Sequence, residues 1–357
     1  MKALNQQISE ALKNQSAELA AEMVDREFLR HPELEQRYGK IGRAKCLRDS
    51  GYHLAYLAEA IAAGSPALFG DYIGWAKVML ARRRVPAADL ACLLVTMQET
   101  LREKLAPELR ELPCAYLDTG LQQLPEMPGE IPTFITGGSP DAPLAAEYLQ
   151  ALLRGDRRGA NQLILDAVQR GTPVRDLYLN VFQRTQYEIG RLWQVNEISV
   201  AQEHSCTAAT QMIMSQLYPY IFGAERKGGT LVAACVADDL HEIGPRILAD
   251  FFEMEGWETH FLGANVPTPS VVQTLIERRA TVLGISATIT YHVRAVEALI
   301  AAVRRTPECG GVKIIVGGYP FKIAPELWRS VGADGFAVDA QEAIALAERL
   351  TSQPLAA

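Results

Sequence analysis

Leu231-Val232-Ala233-Ala234-Cys235-Val236-Ala237-Asp238-Asp239-Leu240-His241-Glu242-Ile243-Gly244 is the stretch whose reading decides the fold. Leu231 to Val236 is apolar without polar alternation, as expected of a strand covered on both faces in a parallel sheet. Further apolar runs at Thr259 to Leu262, Val282 to Ser286 and Ile314 to Val316 alternate with helical patterns at Ile247 to Met254, Ser270 to Arg279 and Val293 to Arg304. A doubly wound, Rossmann-like parallel sheet is therefore expected over 225-357. Ligands of such sheets bind where strands feed into loops at their carboxyl ends. The first such loop holds Asp239 and His241. A histidine two residues after an aspartate can turn one ring nitrogen outward while the other donates to the carboxylate, which is a metal ligand with its orienting partner. Gly244 allows close backbone approach where the next helix begins.

Outward from this loop, 357 residues exceed what one core usually supports, so two or three domains are expected. The pattern is multidomain α and α/β. An all-helical domain is expected over 1-124, with Leu90, Leu93, Leu94, Met97, Leu101 and Leu105 forming one apolar stripe. Proline and glycine mark a linker at 125-143. Residues 144-224 read as a four-helix bundle, interrupted at Gly155-Asp156, at Gly171-Thr172-Pro173 and at Asn196-Glu197, with a hinge at Arg226 to Gly229. A net charge of −7 argues against nonspecific attraction to nucleic acid or anionic lipid. Apolar stretches are too short for a membrane span and Met1 to Ser16 is too polar for a signal peptide, so a cytoplasmic protein is expected. The cysteines are scattered singly and read as reduced, mostly buried thiols.

Asp239-x-His241-x-x-Gly244, with Ser286 after 41 intervening residues and Gly317-Gly318 ending a later strand, resembles the cobalamin-binding domains of methionine synthase, corrinoid methyl carriers and adenosylcobalamin photoreceptors. The resemblance implies that His241 is the lower axial ligand to cobalt, and that the cofactor's nucleotide tail enters a slot lined by Ser286, Gly317 and Gly318. Thr288 stands where that family usually has leucine, and should alter tail packing more than abolish it.

Upstream, Trp193, nine intervening residues and Glu203-His204 resemble the cap motif of the adenosylcobalamin photoreceptors. That resemblance implies that Trp193 packs on an adenosyl group, that Glu203 binds its ribose and that His204 lies near. Gln194 stands where those photoreceptors have a second cobalt-capturing histidine, so that route is closed here. The helical N-terminal domain resembles the photocobilins, which also hold biliverdin. By that resemblance Tyr52, His53, Tyr72 and Trp75 would stack on a noncovalent bilin and Arg82 to Arg84 would pair with its propionates. The expected function is then a light sensor, not an enzyme, using adenosylcobalamin with biliverdin as second chromophore. It would act as a homo-oligomer on an unidentified downstream effector. The alternatives are a corrinoid methyl carrier of a methyltransferase system and a light-independent cobalamin sensor.

Overall fold

The computed structural model describes residues 2–352, and Met1 and residues 353–357 lie outside the described residues. The chain folds as two compact units. One takes in the chain up to Gly129 with Ile289–Glu297 and Tyr319–Val331, and the other takes in Glu130–Thr288, Ala298–Gly318 and the chain from Gly332 onward. The segments 289–297 and 319–331 thus leave the sheet domain that the sequence pattern gave them to.

The first unit is built from α1 (Lys2–Asn14), α2 (Ser16–Arg30), α3 (Glu33–Ala63), α4 (Pro66–Arg82), α5 (Ala87–Lys104) and α6 (Pro107–Gln123). Helix formation starts at Lys2. Prolines suit the openings of α4 and α6, where an N–H would have no partner. Gly39, at φ 60°, breaks α3 internally, and Gly64 ends it in the left-handed conformation. The apolar stripe of α5 is buried as its spacing requires, Leu94, Met97 and Leu101 being fully covered.

Residues 124–141 contain no helix or strand. In the second unit the cap comprises α7 (Ala142–Leu153), α8 (Arg157–Gln169), a turn α9 (Val174–Asp176), a π-helix Leu177–Gln183, then α10 (Arg184–Gln194), α11 (Val200–Ser215) and a short α12 (Tyr218–Ile221). The π-helical insertion was not foreseen, because a 3.6-residue period does not distinguish one wide turn. It turns Tyr178 and Phe182 into the core, where both are wholly buried. The sheet is parallel and five-stranded, in the order β2-β1-β3-β4-β5: β1 Thr230–Cys235, β2 Glu258–Phe261, β3 Val282–Ser286, β4 Lys313–Gly317 and β5 Gly335–Phe336. β5, of two residues, is too short to leave a pattern. Helices α13 (Ile243–Met254), α14 (Thr268–Glu277), α15 (Val293–Arg305), α16 (Tyr319–Ile323), α17 (Leu327–Ser330) and α18 (Ala340–Ser352) complete the chain.

One core joins the cap to the sheet domain. Tyr178 and Phe251 lie with ring centroids 6.1 Å apart, and the Tyr178 hydroxyl donates to Asp250 on α13 at 2.7 Å. Gly229 is required beneath this core, since a Cβ there would sit 2.4 Å from the Trp257 ring. Among the described residues no helix is long and apolar enough to cross a membrane.

Candidate functional site

The strand order reverses direction at β1 and β3, which makes the loops after these strands the crevice of the sheet. Cys235 at the end of β1 pairs with Ser286 at the end of β3, and Ser286 pairs with Gly317 at the end of β4. The motif residues, far apart in sequence, therefore stand at one level of one sheet edge.

Asp238 takes φ 67°, which bends the loop away from the strand. Asp239 beneath it is wholly buried. Its Oδ1 accepts from His241 Nδ1 at 2.8 Å and from the His241 backbone N–H at 3.0 Å. Its Oδ2 accepts from the Thr288 backbone N–H at 2.9 Å. The imidazole side chain is 56% exposed, with Nδ1 held by the carboxylate and Nε2 left for a ligand. The Asp239 carboxylate holds the His241 imidazolium above its usual range; burial pulls the other way, and the charge of Glu203 adds to the rise. Among the residues of the expected site, Asp239, His241, Gly244, Ser286, Thr288, Gly317 and Gly318 are brought together.

The slot is made by missing side chains. Gly318, at φ 101°, passes so close to Ala287 that a Cβ would lie 1.9 Å from its carbonyl oxygen. At Gly317 a Cβ would meet the Ala337 carbonyl oxygen at 3.3 Å, and at Gly244 it would face the Ser286 hydroxyl at 3.7 Å. A half-exposed imidazole with one oriented nitrogen, beside a cradle that side chains would fill, fits a corrin with a displaced nucleotide tail. Sequence reasoning missed Asn265, whose Oδ1 accepts from the Asp238 N–H at 2.8 Å and whose own N–H donates to the Asp239 carbonyl at 2.9 Å. It takes φ 51°, and an asparagine just after Gly263-Ala264 was the available signal in the sequence. It also missed Glu242, which accepts from Gln211 of the cap at 2.8 Å, a contact with no sequence signature.

On the cap, α10 ends at Gln194 and Asn196 turns the chain at φ 62°. Ser199 then starts α11 with a reciprocal capping box to Gln202. Trp193 is half-buried, and Gln194 is 6% exposed and faces the interior. Glu203 accepts from the Thr207 hydroxyl at 3.2 Å and lies 3.3 Å from His204 Nε2, whose side chain is 71% exposed. In the first unit Tyr72 stacks on Tyr56 with centroids 3.8 Å apart, and its ring lies 6.2 Å from that of Trp75. The Tyr72 hydroxyl meets His53 Nδ1 at 2.9 Å. His53 is buried with Nε2 lacking a hydrogen-bond partner, and burial lowers its pKa to about 4, so the ring is neutral. Tyr52, 55% exposed, stands outside this cluster, and Arg82 to Arg84 are exposed at the end of α4.

Residues 229–346 match a B12 binding domain family, 144–218 match a second B12 binding domain family, and 2–124 match the phycobilisome protein family. Dimethylamine corrinoid protein 3 of Methanosarcina acetivorans is 34% identical over 129 residues, which are 36% of this chain and 59% of that protein. The chain thus spans under two thirds of that relative. Dimethylamine corrinoid protein 2 of the same organism is 30% identical over 168 residues, 46% of this chain and 74% of that protein. The solved monomethylamine corrinoid protein of Methanosarcina barkeri shares the fold, with a TM-score of 0.52 at 22% identity over 58% of this chain and 98% of that one. These relatives overturn the expectation of a light sensor and favour the methyl-carrier alternative. The physical reason lies in the cap: the spacing of Trp193 and Glu203-His204 follows from a helix end, a left-handed turn and a capping box, and so does not specify an adenosyl group. The chain belongs to the corrinoid-protein family of B12-binding proteins.

Proposed function

We propose that this chain is the corrinoid-carrying subunit of a methyltransferase system, taking a methyl group from a donor such as a methylamine and presenting it to a partner methyltransferase. The observation that carries this reading is the Asp239–His241 pair, with Nδ1 held at 2.8 Å by a buried carboxylate and the opposite ring nitrogen facing outward at the sheet edge. The likeness to dimethylamine corrinoid proteins supports that substrate class. When bound, the corrinoid supplies the cobalt that holds the transferred methyl group. His241 would hold that cobalt as its protein ligand, and Asp239 would fix the tautomer and share the Nδ1 proton as the ring's donor strength changes. Gly244, Ser286, Thr288, Gly317 and Gly318 are assigned to the nucleotide slot, and Trp193, Glu203 and His204 to the upper face, with Gln194 packed behind them. The matched spans 2–124, 144–218 and 229–346 support three modules at 1-124, 144-224 and 225-357, joined by 125-143.

The test is an absorption spectrum. Mixed with hydroxocobalamin, the wild type should show the base-off, histidine-ligated form, and His241→Ala should lose it. An unchanged spectrum in His241→Ala sinks the reading. Competition between methylcobalamin and adenosylcobalamin, in wild type and in Trp193→Ala, separates a methyl from an adenosyl upper ligand.

A second ligand is favoured by the phycobilisome match and by the cluster of buried His53 and Tyr72 with half-buried Tyr56 and Trp75. It is a noncovalent linear tetrapyrrole of the biliverdin type. Added biliverdin should give a red-absorbing complex that His53→Leu weakens, and no colour removes this assignment alone.

A further inference from the structure

Within the first unit, α2 ends at a residue that the following Pro32 forces out of the helix. His31 takes φ −124° and ψ 69°, and its backbone N–H still donates to the Glu27 carbonyl. Glu27 lies one turn upstream on the same face. Opposite, on α5, Cys92 and Thr96 form a second pair four residues apart. Donor atoms of Glu27, His31 and Cys92 all lie within 4.8 Å of one another.

Glu27 is 3% exposed. Its Oε2 accepts from the Thr96 hydroxyl at 2.6 Å, and among the described residues no lysine or arginine pairs with it. A buried carboxylate without a cation is costly, and removing its charge or supplying a counter-charge relieves the cost. His31 Nδ1 lies 3.2 Å from Glu33, and the Thr96 hydroxyl fixes Glu27, so two of the three donors already have orienting partners.

We infer that Glu27, His31 and Cys92 form a site for one borderline-soft divalent cation, for which Zn2+ is the best fit, with water in the fourth position. Sulfur, imidazole and carboxylate are the donors that zinc takes together. At metal–ligand lengths of about 2.0 to 2.3 Å the donors of a tetrahedral site lie roughly 3.5 Å apart, so rotamer adjustment at the partly exposed His31 and Cys92 closes the triad. Binding replaces the Cys92 S–H bond by a zinc–sulfur bond and releases that proton to solvent. The cation supplies the charge that Glu27 lacks.

The test uses the full chain with hydroxocobalamin supplied, so that His241 is engaged, and titrates it with Zn2+ by calorimetry. The expected result is one Zn2+ per chain with proton release, and slower iodoacetamide alkylation of Cys92 as read by peptide mass spectrometry. Cys92→Ser and His31→Gln should each lower zinc affinity by about tenfold or more. Cys46→Ser, which changes a nearby thiol outside the triad, should bind as wild type. His31 lies at a helix end, so His31→Gln keeps the test sound should Cys92→Ser misfold by circular dichroism. A chain that takes up no Zn2+, or one that binds it equally well in the folded variants, overturns the assignment.

Discussion

Asp239 has no exposed surface, and each of its oxygens holds a different loop: His241 on one, the Thr288 amide on the other. Asp239→Asn keeps the shape but replaces one acceptor by an amide that can only donate, so corrinoid affinity should fall about 10- to 100-fold in a spectroscopic titration. Gly318→Ala meets both a positive φ and the Ala287 carbonyl, and should lower the stability of the second unit by more than about 2 kcal/mol in urea melts. Asp250 gives the pH dependence. Burial pushes its carboxyl up to about 6 from an ordinary 3.8, which the Tyr178 hydrogen bond offsets only in part. The fold therefore holds the proton more tightly than the unfolded chain, and stability falls as pH rises between about 4 and 6. At roughly 1.4 kcal/mol for each pH unit of that shift, the loss is about 3 kcal/mol at neutral pH. Asp250→Asn, which still accepts from Tyr178, should flatten this fall and raise the thermal midpoint at pH 7; a midpoint that tracks wild type across the range speaks against it.

At the scale of elements, legibility followed from how much local chemistry each element needs. β1 was plain because it is apolar on both faces, and α5 because its stripe repeats through several turns. The cluster at the sheet edge was legible because its residues answer to backbone demands, a buried carboxylate at 239 and absent side chains at 317 and 318. The function was not. A tryptophan and a Glu-His pair at fixed spacing describe the α10–α11 junction whatever lies beneath it, so that spacing led to an adenosyl ligand and a light sensor that the relatives do not support. Ser199 secures this junction through Gln202. Ser199→Ala should cost about 1 kcal/mol of stability, read by urea melts, and leave hydroxocobalamin binding within a few fold.

At the scale of the whole molecule, the monomethylamine corrinoid protein is matched over 98% of its length by 58% of this chain. Segments 289–297 and 319–331 nevertheless belong to the first unit, so a fragment 125–357 tests whether the matched residues suffice: if it folds, it should retain hydroxocobalamin with the histidine-ligated spectrum. Loss of that spectrum in a folded fragment would show that residues 1–124 take part in holding the cofactor. Through Asp239 the loops after three strands are fastened to one another: its carbonyl accepts from Asn265 after β2, its carboxylate from Thr288 after β3, and it sits itself after β1. His241, hydrogen-bonded to this same carboxylate, cannot shift without pulling on all three loops. Loading with hydroxocobalamin should therefore slow hydrogen–deuterium exchange at the Thr288 and Asn265 amides together, so that occupancy is felt along the whole loop edge of the sheet as stiffness.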